Sequence, residues 1–154
     1  MASTTSTVTK SETQQFLDIF NRDHLEKHSG IFGKLRLTVN VSFKDYNKLV
    51  GSSQSHITHL TEDQTIWALE DKETGELISV LFMNYMYECM DGASPGPHHI
   101  VQWCYSFTRD SPEYRRKGLS SFIRLISMIW SYGHGCRYIN SVPLPGSHSN
   151  TLLV

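Results

Sequence analysis

Three consecutive cations, Arg115, Arg116 and Lys117, stand directly before Gly118, and the residues after them take up helical hydrophobic spacing. This grouping suits the binding of a phosphate-type anion. A glycine permits close backbone approach, the first turn of a helix carries N–H groups with no intrahelical partner, and the positive end of the helix dipole favours negative charge. A pyrophosphate would fit there. A basic, solvated turn ahead of a helix has the same composition, so the surrounding elements must decide between the two readings.

Other chemistry-bearing residues are less ordered. Cys89, His98, His99 and Cys104 fall within a short stretch, but their spacing fits no ordinary zinc motif, and no metal is expected. A Cys104 thiol with a neighbouring histidine as base would be a nucleophile pair. Its neighbours Trp103, Tyr105 and Phe107 instead suggest a small filler in a buried strand. Tyr85 and Tyr87 suit either a cleft wall or one face of a half-exposed strand.

The elements that position the basic loop follow from periodicity. Leu119, Phe122, Ile123, Ile126, Ile129 and Trp130 recur at helical spacing, widened by Leu125 and Met128, and predict a largely buried helix. Ser120, Arg124, Ser127 and Ser131 form its polar stripe. Gly133 and Gly135 stop it, and Arg137 to Val142 reads as a strand. Upstream, residues 65–70 and 77–87 form a predicted hairpin around the polar turn Asp71 to Glu76, with Gly75 in the turn. The loop Asp91 to Pro97 precedes a strand from His99 to Thr108. Lys34 to Lys44 alternates strictly between polar and apolar residues and predicts a half-buried strand. Before it come a Ser- and Thr-rich tail, Met1 to Thr9, and a helix starting near Ser11 with Phe16, Leu17 and Phe20 on one face.

The spacing Arg115-x-x-Gly118-x-Ser120 resembles the Arg/Gln-x-x-Gly-x-Gly/Ala signature of the GNAT superfamily of acyl-CoA-dependent N-acetyltransferases, with Ser120 as the departure. The order hairpin, strand, basic loop, long helix and strand over about residues 65 to 150 is similar to the core of that family. The resemblance implies an α+β fold, a GNAT-like mixed and mostly antiparallel twisted sheet flanked by helices. Residues 1–30 are then a tail and helical extension, and 31–154 the acetyltransferase domain. Residues 34–43 become the first strand; the weaker alternative assigns that role to Thr5 to Lys10.

The function implied is transfer of an acetyl group from acetyl-CoA, the acyl donor, to a primary amine by direct attack. Backbone at Phe107 and Thr108 corresponds to the family's pantetheine contact. Amides around Arg116, Lys117, Gly118, Leu119, Ser120 and Ser121 correspond to its pyrophosphate contact, with the Arg115 guanidinium beside them. Asn150 resembles the start of the last helix. The chain then ends at Val154, so a C-terminally truncated fold is expected, without the family's closing strands and its proton-donating tyrosine. The strand from Ile100 to Thr108 holds no carboxylate; Gln102 lies near the expected position and cannot act as a base, so a water chain, His99 or an amine already neutral on arrival must accept the proton. A non-catalytic CoA-binding or interaction module derived from the same fold is the alternative.

Bulk properties narrow the partners. The 154 residues are one domain's worth of chain, and a net charge of -1 with a pI of about 6.7 argues against general nucleic-acid or membrane-surface binding. Three cysteines without disulfide spacing, and no apolar signal core, point to a cytoplasmic protein. The acceptor class stays open between small-molecule and peptide amines. An unpaired edge on the strand after the long helix, with too few residues after Asn150 for a stable turn, predicts self-association, as in a homodimer, or marginal stability.

Overall fold

The computed structural model of the chain describes residues 10–51, 64–86 and 100–141. Helix α1, Lys10–Phe20, runs into a π-helical turn at Asn21–Leu25, and a 3-10 turn at Ile31–Lys34 leads to strand β1, Leu35–Thr38. Helix α2, Phe43–Val50, is followed by strands β2, Gln64–Asp71, and β3, Leu77–Met86. Strand β4, Ile100–Thr108, helix α3, Leu119–Gly133, and strand β5, Tyr138–Ser141, complete the order. The five strands form one sheet in sequence order, antiparallel from β1 to β4 and parallel between β4 and β5. A mixed sheet flanked by helices is thus observed, and the predicted hairpin, third strand, helix and following strand are all present.

Alternating side chains send two apolar sets to opposite faces. Trp67, Leu69, Leu81, Met83 and Val101 pack against α1 and α3, with Leu17, Ile123, Ile126 and Trp130. Ile66, Ala68, Val80 and Phe82 pack against Tyr46 and Val50 of α2. The N-terminal segment therefore shares the main core: Leu17 and Leu25 are buried in it, and the Phe16 ring lies 4.8 Å from that of Trp130.

That segment also covers the sheet's outer edge. Asn21 accepts from Leu37 N–H at 2.7 Å and donates to Leu37 C=O at 3.1 Å, while Gln14 accepts from Val39 N–H at 3.0 Å. Side-chain amides bond the outer edge of β1, against which no strand lies among the described residues, so these backbone groups are satisfied away from water.

The strand predicted from Lys34 to Lys44 is shorter than the alternation suggests. Val39 remains buried on the α1 side, but Val41 joins the core on the α2 side, so the chain has crossed between faces. A stronger local signal intervenes: Ser42 Oγ accepts from Asp45 N–H at 3.1 Å and caps α2. The β2–β3 turn behaves as expected. Asp71 accepts from the N–H groups of Glu73 and Thr74 at 2.8 and 3.0 Å, and Gly75 takes φ +75°.

Helix α3 departs from the predicted polarity. Ser127 and Ser131 of the polar stripe are buried, whereas Leu125, Met128 and Ile129 are exposed. The two inward serines differ: Ser127 Oγ accepts from Trp103 Nε1 at 3.2 Å and donates to Arg124 C=O at 2.7 Å, whereas Ser131 Oγ has no hydrogen-bond partner among the described residues. At Ser127, hydrogen bonding offsets the desolvation that would otherwise turn the side chain outward.

Candidate functional site

Strand β4 is the wall on which the site is built. Strand β5 pairs with it only from Ile100 to Trp103, so among the described residues no strand lies against the outer edge from Cys104 to Thr108. The register with β3 slips between Phe82 and Met83, where Tyr105 and Trp103 are the successive partners and Cys104 is the extra residue of a β-bulge. Beyond the bulge, Arg109 N–H donates to Ile78 C=O at 2.7 Å. Backbone alternation then turns the N–H and C=O of Thr108 to the uncovered edge and those of Phe107 toward β3. The Phe107 ring stacks on Tyr105, 6.4 Å between centroids, on the α2 face.

The chain leaves β4 into a loop that closes on itself before α3. N–H groups of Tyr114 and Arg115 donate to Ser111 C=O at 2.9 and 3.0 Å, and Arg115 pairs with Asp110 at 2.6 Å. Burial pushes the Tyr114 phenol up to about 12, with a hydrogen bond involving Glu113 adding to the shift, so it stays neutral under the loop. Arg116 and Gly118 then take positive φ, +54° and +81°. Gly118 is the N-cap of α3, and its C=O accepts the first helical bond from Phe122 N–H at 2.9 Å.

The left-handed turns leave six consecutive amides, from Arg116 to Ser121, donating to no described protein atom. They border a cavity of about 270 Å³ whose lining includes Ser106, Thr108, Arg115, Lys117, Ser120 and Arg124. Arg116 and Lys117 pair with no carboxylate among the described residues. Unspent donors, a helix N-terminus and free cations converge on one hollow, which is the arrangement an anion needs. Nothing lies within 4 Å of where a Gly118 Cβ would be, so the glycine serves the backbone angle and leaves the hollow open.

Ser120, the departure from the motif, turns its hydroxyl back to the sheet. Its Oγ lies 3.2 Å from Ser106 Oγ and 3.0 Å from Thr108 Oγ1, and Thr108 Oγ1 lies 2.8 Å from Ser79 Oγ. The first turn of α3 is tied to β4 and β3 by this chain of hydroxyls. Arg124, one turn further, sits over the Trp103 ring at 5.4 Å; burial lowers its pKa from the ordinary arginine value.

The bulge brings different groups together. Cys104, read from sequence as a buried filler, is exposed, because the extra residue takes it out of the strand's normal alternation. Partial enclosure still pushes its thiol up, away from the thiolate form a nucleophile needs. Gln102 is half-buried, its Oε1 3.8 Å from Cys104 Sγ. On the α2 side the phenol of Tyr46 is fully buried, raised by burial and by the nearby Tyr105 and Cys104, and its hydroxyl has no partner among the described residues. Neither Tyr46 nor the bulge carries a signal in the sequence; the pairing register reveals the bulge, and core packing reveals Tyr46.

Of the residues singled out from sequence, Thr108 and Arg115 to Ser121 come together around the cavity, and Phe107 stands beside it with its ring on the other face. His99 and Asn150 lie outside the described residues, as do Cys89, His98, Tyr87 and the chain's last residues. Among the described residues no group of three or more His, Cys, Asp or Glu side chains could hold a metal, and no helix is long and apolar enough to cross a membrane.

No protein-family model and no curated protein matches the chain. Solved structures do. An aminoglycoside acetyltransferase from an uncultured soil metagenomic sample, in complex with sisomicin, is similar with a TM-score of 0.60 at 7% identity, covering 80% of this chain and 86% of that one. The aminoglycoside N-acetyltransferase AAC(6')-Iy in complex with CoA gives 0.56 at 14% identity, with 77% and 82% covered. A ribosomal-protein-alanine N-acetyltransferase from Brucella melitensis biovar Abortus 2308 gives 0.55 at 10% identity, with 77% and 85% covered.

Proposed function

We propose that this chain, which has the GNAT-type N-acetyltransferase fold, transfers an acetyl group from acetyl-CoA to the primary amine of a small molecule or peptide. The observation that carries the reading is the run of six amides from Arg116 to Ser121, unspent among the described residues, around a hollow that also holds two cations with no carboxylate partner there. In a merely solvated basic turn, nothing would require the left-handed angles at Arg116 and Gly118 that aim those amides together.

The residues fit the donor along its length. Amides 116–121, with Arg116 and Lys117, would hold the pyrophosphate, and Arg115 would add charge if it exchanged Asp110 for phosphate. The uncovered backbone of Thr108 offers a donor and an acceptor to the pantetheine amides, as a neighbouring strand would. Bound acetyl-CoA supplies an activated carbonyl, on which the acceptor nitrogen forms its bond as the bond to the CoA sulfur breaks. The chain's part is placement, which alone lowers such a barrier substantially. Gln102 can orient a water or the amine through its amide but cannot take the proton. His99 is proposed for that role, with an amine arriving neutral as the other route.

A second reading, a CoA-binding or interaction module without catalysis, is favoured by the absence of any Asp, Glu or His from Ile100 to Thr108. One experiment separates the two. The full chain is mixed with acetyl-CoA and, in turn, a polyamine, an aminoglycoside and a peptide with a free N-terminus, and thiol release is followed. Amine-dependent release supports the transferase. Binding of CoA without release from any amine supports the module, and failure to bind CoA removes both.

A further inference from the structure

The hydroxyl chain Ser79, Thr108, Ser120, Ser106 has four protons and three links, at 2.8, 3.0 and 3.2 Å. One O–H is therefore left to donate outside the chain, and burial decides which. Ser79 is fully buried, and among the described residues Thr108 is its only side-chain partner. If Ser79 accepted from Thr108, its own proton would be sealed in the core without an acceptor, an arrangement native interiors avoid. Ser79 must donate. The order in which Thr108 donates to Ser120 and Ser120 to Ser106 is the one favoured from there, because head-to-tail donation lets each bond strengthen the next.

The free proton ends on Ser106, at the cavity wall and on the stretch of β4 that β5 leaves uncovered. We infer that Ser106 presents a directed O–H donor to the ligand of this cavity, its direction set through two hydroxyls by Ser79, and that the site selects an acceptor oxygen there. With the ligand read as acetyl-CoA, as proposed above, that oxygen belongs either to the pyrophosphate or to a pantetheine amide. Ser106 is a ligand-contacting residue in this scheme. Ser79 is a positioning residue that never touches the ligand.

The direction of the chain is tested without any ligand by the thermal midpoint of Ser79→Ala. A donating Ser79 predicts a lower midpoint. A midpoint unchanged or raised would mean that the mutation had removed an unsatisfied proton, and would overturn the inference.

The ligand arm uses calorimetry with CoA, ADP and pantetheine on wild type, Ser79→Ala, Ser106→Ala and the double variant. Ser106→Ala is expected to weaken CoA about threefold to tenfold. Ser79→Ala should weaken it by part of that factor in wild type and by nothing further once Ser106 is alanine. Loss shared with ADP assigns the oxygen to phosphate, and loss shared with pantetheine assigns it to an amide. Equal factors for Ser79→Ala in both backgrounds, or full CoA affinity in Ser106→Ala, would overturn the inference. If wild type binds none of the three probes, the CoA reading falls, and the melting arm alone decides the direction of the chain.

Discussion

Gly118 sits at φ +81° with open space around it, so its two simplest replacements separate backbone from ligand effects. Alanine meets no neighbour and should cost only the left-handed penalty, about 1–2 kcal/mol of stability. Glutamate carries the same backbone penalty and also places a carboxylate among the donors meant for a phosphate. Thermal melts should therefore show similar losses for Gly118→Ala and Gly118→Glu, while calorimetry shows CoA binding abolished only in the second. The cations separate in a related way. Arg115→Ala and Lys117→Ala should each weaken CoA about tenfold, the scale of one charge-assisted phosphate bond, and leave pantetheine affinity unchanged. Lys117 should show the larger effect, because Arg115 must first give up Asp110 at 2.6 Å.

Among the elements, the β2–β3 hairpin depends on one carboxylate. The two amides donating to Asp71 hold its pKa below the ordinary value of 3.8, so the ionised form is favoured in the folded state. A depressed folded pKa contributes stability above the unfolded value, and that contribution is lost as pH falls through the folded one. Asp71→Ala should be less stable than wild type at pH 7 by about 1 kcal/mol. Melts at decreasing pH should show the gap starting to close below 3.8. Helix α3 shows the same dependence on satisfied polar groups. Its buried Ser127 is tied to Trp103 and to Arg124 C=O, which holds the helix against β4 where the two form the cavity wall.

For the molecule as a whole, the N-terminal helix is a structural member of the sheet. With the π-helical turn that follows, it contributes Leu17 and Leu25 to the core, and the amide side chains of Gln14 and Asn21 satisfy the outer edge of β1. A chain starting at residue 31 would lose those apolar contacts and leave Leu37 and Val39 with unpaired backbone groups. Such edges recruit other strands. The shortened chain should elute as aggregate in light-scattering chromatography, where the full chain does not. Elution as a monomer with an unchanged melt would show that the edge protects itself.

Sequence alone determined whatever is encoded over a few residues. The Asp71 turn, the basic loop before α3 and the hairpin's two strands are settled by contacts between near neighbours, and their residue types announce them. The loop's anion character was legible for the same reason, because Arg115 to Ser121 form one contiguous surface. Tertiary structure decided the rest. Periodicity shows that the two faces of α3 differ, but which faces the sheet depends on partners distant in sequence, and Trp103 supplies one to Ser127. The bulge at Cys104 exists only as a mismatch between two strands, and Ser120 found its hydroxyl partners on β4 at distances no spacing rule predicts. Hydrophobic pattern specifies how much surface must be buried, whereas polar groups are directional and become legible only when the other end of the bond is in place.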